Sequence, residues 1–165
     1  MITIKELLDS TKLVVKLAAD YKGAPRREMR LDGLLYGVLH SKYRVRRQHH
    51  VRSRNGRPKR IDFRQPGRNP VVIEFAVRTH QTRRELNGSQ NRPELHKLMR
   101  QNAASARYLL LLDLARESLD KDDLKGTYTT VPGLRGRGPR KSVRIIYAHR
   151  TGTYHFLWQP KEKSN

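Results

Sequence analysis

The chain contains no cysteine, only three phenylalanines and one tryptophan, and no apolar run long enough to cross a bilayer. Without cysteine there is no disulfide framework, no thiolate nucleophile and no sulfur-ligated zinc site. Without an apolar stretch of ~18 residues no membrane span is expected. The N-terminus lacks a charged region followed by an uninterrupted apolar segment, so no export signal is expected and a cytoplasmic setting is. Acid is scarce as well: 15 Asp plus Glu stand against 36 Lys plus Arg, a formal net charge of +21 over 165 residues. Such an excess repels itself in a folded protein and is tolerable mainly beside a polyanion. No long basic helix with an aromatic and leucine face is present, which argues against a membrane surface. Nucleic acid, with double-stranded DNA foremost, is the expected partner.

The positive charge is clustered. From Lys42 to Arg68 the chain carries Arg44, Arg46, Arg47, Arg52, Arg54, Arg57, Lys59, Arg60 and Arg64 between the two ends, with Asp62 the only acid. Arginine outnumbers lysine there, which suits bidentate contact with phosphate. Arg44, Arg46, Arg47, Arg52, Arg54, Arg57, Lys59 and Arg78 are candidate phosphate contacts. So are Arg135, Arg137 and Arg140 in the Gly/Pro-rich stretch 132–141, which would order against a backbone. That stretch lacks the GK[ST] ending of a phosphate loop.

Hydrophobic content of 36% is low but gathered into definite segments, which argues against global disorder. The length suits one domain over 1–160 with a tail at 161–165. Apolar spacing predicts an N-terminal helix within 1–24, covering about 3–20, and a second helix over 26–41 with Leu31, Leu34, Leu35 and Val38 inward. A basic edge strand follows at 43–51. Asn55-Gly56 marks a hairpin turn, then strands at 60–64 and 71–78 flank a Pro/Gly/Asn turn. Pro93 opens a helix running to about Ala106, with Leu95, Leu98, Met99 and Asn102 inward. Tyr108 to Leu114 reads as a fully buried, parallel central strand. Residues 115–142 form a loop-rich basic insertion, and 143–158 a closing hairpin. The order predicts an α/β (α+β) fold in which a mixed central sheet is flanked by helices, with a core at 26–114.

Two acids stand out. Glu74 sits inside Val71-Val72-Ile73-Glu74-Phe75-Ala76-Val77 and Asp62 inside the preceding strand. A charge in such a run is costly to bury unless compensated. If the strands pair around their turn, the two carboxylates meet, and each either pairs with a base or binds a metal. Mg²⁺ or Mn²⁺ suits a pair of hard oxygen donors and leaves positions for water and substrate phosphate.

This helix, three strands, helix, strand order with paired acids resembles the PD-(D/E)XK nuclease superfamily, the restriction-endonuclease-like fold. The resemblance covers about half the chain. It implies that Asp62 and Glu74 are metal-binding acids and that Glu28, in the preceding helix, assists. The superfamily usually has a lysine two residues after the glutamate; here that position is Ala76. Lys97, on the next helix, is the first candidate to supply the missing cation, against the plainer reading of a solvated lysine paired with Glu94. Arg78 shares the Glu74 face but lies two residues further along.

Weaker candidates have plain explanations. His49-His50 and His80 suit phosphate contact or simple exposure. Gln90-Asn91 suits helix capping. Tyr154, Phe156 and Trp158 suit one packed strand face, with base stacking the alternative. The favoured reading is a Mg²⁺-dependent deoxyribonuclease in which Asp62, Glu74 and Lys97 act. Its competitors are an inactive DNA-binding subunit on the same scaffold, of a mobile-element or defence complex, and a basic RNA-binding protein. A homodimer or larger complex is left open.

Overall fold

In the computed structural model, residues 2–20, 28–51, 59–79, 85–133 and 141–160 are described, without the side chains of 28–30, 48–51 and 59. The apolar segments of the sequence become α1 (Ile4–Asp20), α2 (Glu28–Tyr43), β1 (Arg46–Val51), β2 (Lys59–Gln65), β3 (Val71–Arg78), α3 (Arg92–Met99), β4 (Ala106–Asp113), α4 (Lys121–Thr129), β5 (Val143–His149) and β6 (Gly152–Trp158). The strands build one sheet whose spatial order is the chain order. β1, β2 and β3 run antiparallel, β3, β4 and β5 parallel, and β5 and β6 antiparallel. Parallel neighbours need a crossover, and α3 and α4 supply one each. This is the mixed helix-flanked sheet expected from the sequence.

The sheet separates two apolar layers. Phe63, Val71, Ile73, Phe75 and Val77 pack towards α1 and α2, with Leu7, Val14, Leu31, Leu35 and Leu39. Val72, Ala76, Leu109, Leu111 and Ile145 pack towards α3 and α4, with Leu95, Leu98, Leu124 and Tyr128. β3 and β4 are thus covered on both faces, which is why they read as near-continuous apolar runs.

Two elements differ from expectation. α3 stops at Met99 instead of about Ala106, and Asn102 is exposed rather than inward. The cause lies downstream: Arg107 opens the buried part of β4, and its guanidinium donates to the carbonyls of Leu98 at 3.1 Å, Gln101 at 2.5 Å and Ala104 at 2.7 Å. The Leu98 and Gln101 carbonyls also accept the Gln101 and Ala104 amides at 3.1 Å, so the guanidinium adds a further donor and pins the irregular segment that follows the helix. In the region read as loop, α4 forms around an Asp120 cap whose side chain accepts from the Asp122 and Asp123 amides. Asp122 and Asp123 in the first turn complement the helix dipole. Gly126 and neighbouring threonines are weak helix formers, so docking decides: Tyr128 is buried and donates to the Leu86 carbonyl at 2.8 Å. Gly88 lies so close to this helix that a Cβ there would sit 2.4 Å from the Thr127 carbonyl.

Arg107 is 8% exposed, so Arg107→Met keeps most of its bulk while removing the guanidinium's bonds to three carbonyls, of which those of Leu98 and Gln101 keep a backbone donor. The expected loss is about 1–3 kcal/mol per strongly affected group, read by urea unfolding. Unchanged stability would mean that water replaces the guanidinium.

Candidate active site

The turn between β2 and β3 sets the geometry. Gly67 adopts φ 132° there, a conformation glycine reaches without steric cost. The turn fixes the register Gln65↔Val71, Arg64↔Val72 and Phe63↔Ile73. Continuing it by one residue sets Asp62 opposite Glu74. Beyond Phe63 the β2–β3 ladder ends, although β2 stays paired with β1 as far as Val51↔Lys59. The Phe75 amide donates instead to Asp62 Oδ2 at 3.1 Å. The Asp62 carboxylate therefore replaces a backbone acceptor at the point where the strands part.

Glu74 is 1% exposed. Lys97, on α3, donates through Nζ to Glu74 Oε2 at 2.5 Å and to the Arg60 carbonyl at 3.4 Å. Glu74 Oε1 is buried with no hydrogen-bond partner among the described residues. The Asp62 and Glu74 carboxylates face each other across the parting strands, and the Asp62 charge acts on Glu74. Two ionised carboxylates have no donor to offer each other, so their approach requires a proton or a cation. Burial first, and then the Asp62 charge, push the Glu74 carboxyl up to about 9 against the opposing pull of Lys97. Burial also raises Asp62, opposed by the Phe75 amide and Lys97.

The donor set fits a hard divalent ion that uses two carboxylates and otherwise keeps water or takes phosphate oxygens, and Oε1 is an acceptor without a donor. No group of three or more His, Cys, Asp or Glu side chains suited to a metal occurs among the described residues, so a protein-only cage of such ligands is not assembled there. Glu28 opens α2, but its side chain lies outside those described. Ala76 is fully buried in the α3-side layer; a lysine there would enter apolar surroundings. Lys97 reaches Glu74 from the helix above, its side chain 19% exposed.

The arginine candidates separate. Arg44 and Arg46 are exposed, and Arg44 closes α2 in the left-handed region at φ 51°. Arg47 is exposed, pairs with Asp32 and lies 5.6 Å above the Tyr36 ring. Arg78, expected at phosphate, is committed inward: it grips Asp113 through two hydrogen bonds, at 2.9 and 2.6 Å, and reaches the Glu117 carbonyl at 2.6 Å. Asp113 is fully buried and also accepts from the Tyr147 hydroxyl at 2.5 Å. The sequence reading missed this pair, although an acid closing an apolar strand was the same signal that marked Glu74. Arg52, Arg54, Arg57, Arg135, Arg137, Arg140 and His80 lie outside the described residues, as do the side chains of His49, His50 and Lys59. Asn91 sits at the α3 cap position without a side-chain cap bond; its amide donates to the Tyr128 hydroxyl at 2.9 Å. Phe156 and Trp158 are buried core residues.

No family model matches the chain, and no curated protein sequence matches it. Among solved structures, the crystal structure of SSO0001 aligns over 94% of this chain and 67% of that one, at 12% identity and a TM-score of 0.37. That likeness is too distant to carry fold, activity or ligand across.

A carboxyl raised in the folded state favours folding most below its unfolded value and loses that advantage as pH climbs to the folded one. In chelator, wild-type stability should therefore fall between the ordinary glutamate value of 4.5 and about 9 through Glu74. Glu74→Gln lacks this fall, so its melting temperature should gain on wild type across that window. A constant difference would contradict the buried, raised carboxyl.

Proposed function

We propose that the chain is a metal-dependent nuclease that hydrolyses phosphodiester bonds in DNA. One observation carries this reading: α3 brings the Lys97 ammonium to within 2.5 Å of Glu74, beside Asp62, so that two acids and a cation converge although the position two residues after Glu74 holds Ala76. A Mg²⁺ or Mn²⁺ ion held by Asp62 and Glu74 would polarise a phosphoryl oxygen and lower the pKa of an attacking water.

The chain's own groups have distinct tasks. Asp62 is oriented by the Phe75 amide and Glu74 by Lys97, so both carboxylates are held before substrate arrives, as electrostatic catalysis requires. The partly exposed Lys97 ammonium has three donors and spends two on Glu74 and the Arg60 carbonyl. The third is available to a phosphate oxygen or to the attacking water. Arg60 and Arg46, both exposed, neutralise the approaching backbone. The apolar bed around Ile61, Ala76 and Leu95 limits bulk water beneath the carboxylates and so strengthens each charge interaction.

The second reading, a DNA-binding subunit without turnover, draws on the same contact. Lys97 already compensates Glu74, and an ion pair needs no catalysis to explain it. Supercoiled plasmid with Mg²⁺ or Mn²⁺ separates the two. Wild type should nick or linearise it. Glu74→Ala and Asp62→Ala should lose activity by about 10³-fold or more, and Lys97→Ala by about 10²–10⁴-fold. Equal cleavage by wild type and Glu74→Ala would remove the nuclease reading. Tight binding with no cleavage under either ion would establish the second.

A further inference from the structure

The β1–β2 hairpin outruns the sheet that carries it. β2 pairs with β3 only from Phe63 to Gln65, whereas its pairing with β1 continues through Ile61, Arg60 and Lys59. Among the described residues the outer half is therefore a two-stranded ribbon with no third strand. It is not a loose flap. Ile61 is fully buried in the α3-side layer with Leu95 and Leu98, and the Arg60 carbonyl receives Lys97 Nζ. Parting from β3 thus turns the ribbon towards α3, where it forms one wall of the Asp62–Glu74 site.

Ribbon chemistry narrows the ligand. Its strands read Arg-Arg-Gln-His-His-Val and Lys-Arg-Ile-Asp-Phe-Arg-Gln, so the only acid they carry is Asp62. Arg46 and Arg60 are exposed. Its one aromatic, Phe63, is fully buried against Tyr36 and Phe75. Single-strand binders rely on exposed rings for stacking, and the described side chains of these two strands offer none. Two strands ~4.8 Å apart fit a B-form major groove ~12 Å wide. The A-form RNA major groove is deep and narrow and closed to side chains.

We infer that the β1–β2 ribbon enters the major groove of a B-form DNA duplex, with Arg46 and Arg60 on its phosphates, and sets one backbone beside Asp62 and Glu74. Only the last clause rests on the nuclease reading; the docking is independent of turnover.

The test measures binding in chelator, with a labelled 20-base-pair DNA duplex (about two helical turns), the RNA duplex of equal sequence and the single strand. The DNA duplex should bind at least about tenfold more tightly than either competitor. Arg46→Ala/Arg60→Ala should flatten the dependence of log K on log salt by about two, one for each phosphate no longer neutralised. Arg116→Ala/Arg150→Ala removes equal charge from exposed sites at the β5 side of the sheet and should leave the slope within about half a unit of wild type. Methyl green, a major-groove ligand, should displace the protein, whereas netropsin, a minor-groove ligand, should not. Equal affinity for duplex RNA, an unchanged slope in the ribbon variant, or displacement by netropsin alone overturns the assignment. Because chelator keeps the binding assay free of metal, loss of cleavage elsewhere leaves this result intact, and a failed ribbon leaves the carboxylate chemistry standing.

Discussion

Glu74 is held inside a sheet that is covered on both faces, with one oxygen against a lysine and the other without a donor among the described residues. A buried acid in that state costs free energy unless a proton or cation joins it. The surrounding architecture answers this constraint piece by piece. The β2–β3 turn supplies the register, the parting of the strands leaves an amide for Asp62, and the crossover helix delivers Lys97. Removing any one leaves an uncompensated charge, which explains why three separate elements meet at one point.

The same constraint joins site and surface. β2 leaves β3 where Asp62 wedges in, so the parting that creates the carboxylate pair also frees the ribbon. In the proposed function these are two consequences of one backbone divergence: the chemistry lies at its base and the duplex contact along its length. Arg78 and Asp113, one register pair at the far end of β3 and β4, are a different case. There acid and base satisfy each other through two bonds, with Tyr147 completing the set, and nothing is left over for a ligand.

Much of this was legible in the chain itself. β3 and β4 announce themselves as unbroken apolar runs, and a Pro/Gly/Asn turn between short strands demands a hairpin, so the meeting of Asp62 and Glu74 follows from pattern alone. Lys97 was reachable only through the resemblance, which expects a lysine where this chain has Ala76 and points to the following helix for a substitute. Its contact depends on how α3 lies across the sheet, which periodicity does not encode. α3's early end was hidden because its cause, Arg107, belongs to another element. α4 was hidden because its stability comes from the Asp120 cap and the docking of Tyr128, while its residues have weak helix propensity. Arg78 looked like its basic neighbours until the parallel register set it beside Asp113.

The central claim is that the Asp62–Glu74 pair is a divalent-cation site, and anomalous diffraction from Mn²⁺-soaked crystals tests it most directly. The account predicts one strong peak within about 2.5 Å of oxygens from both carboxylates, with Lys97 adjacent, and its loss in Glu74→Gln. Crystals that take up Mn²⁺ elsewhere, or nowhere, while Glu74 stays joined only to Lys97, would contradict it.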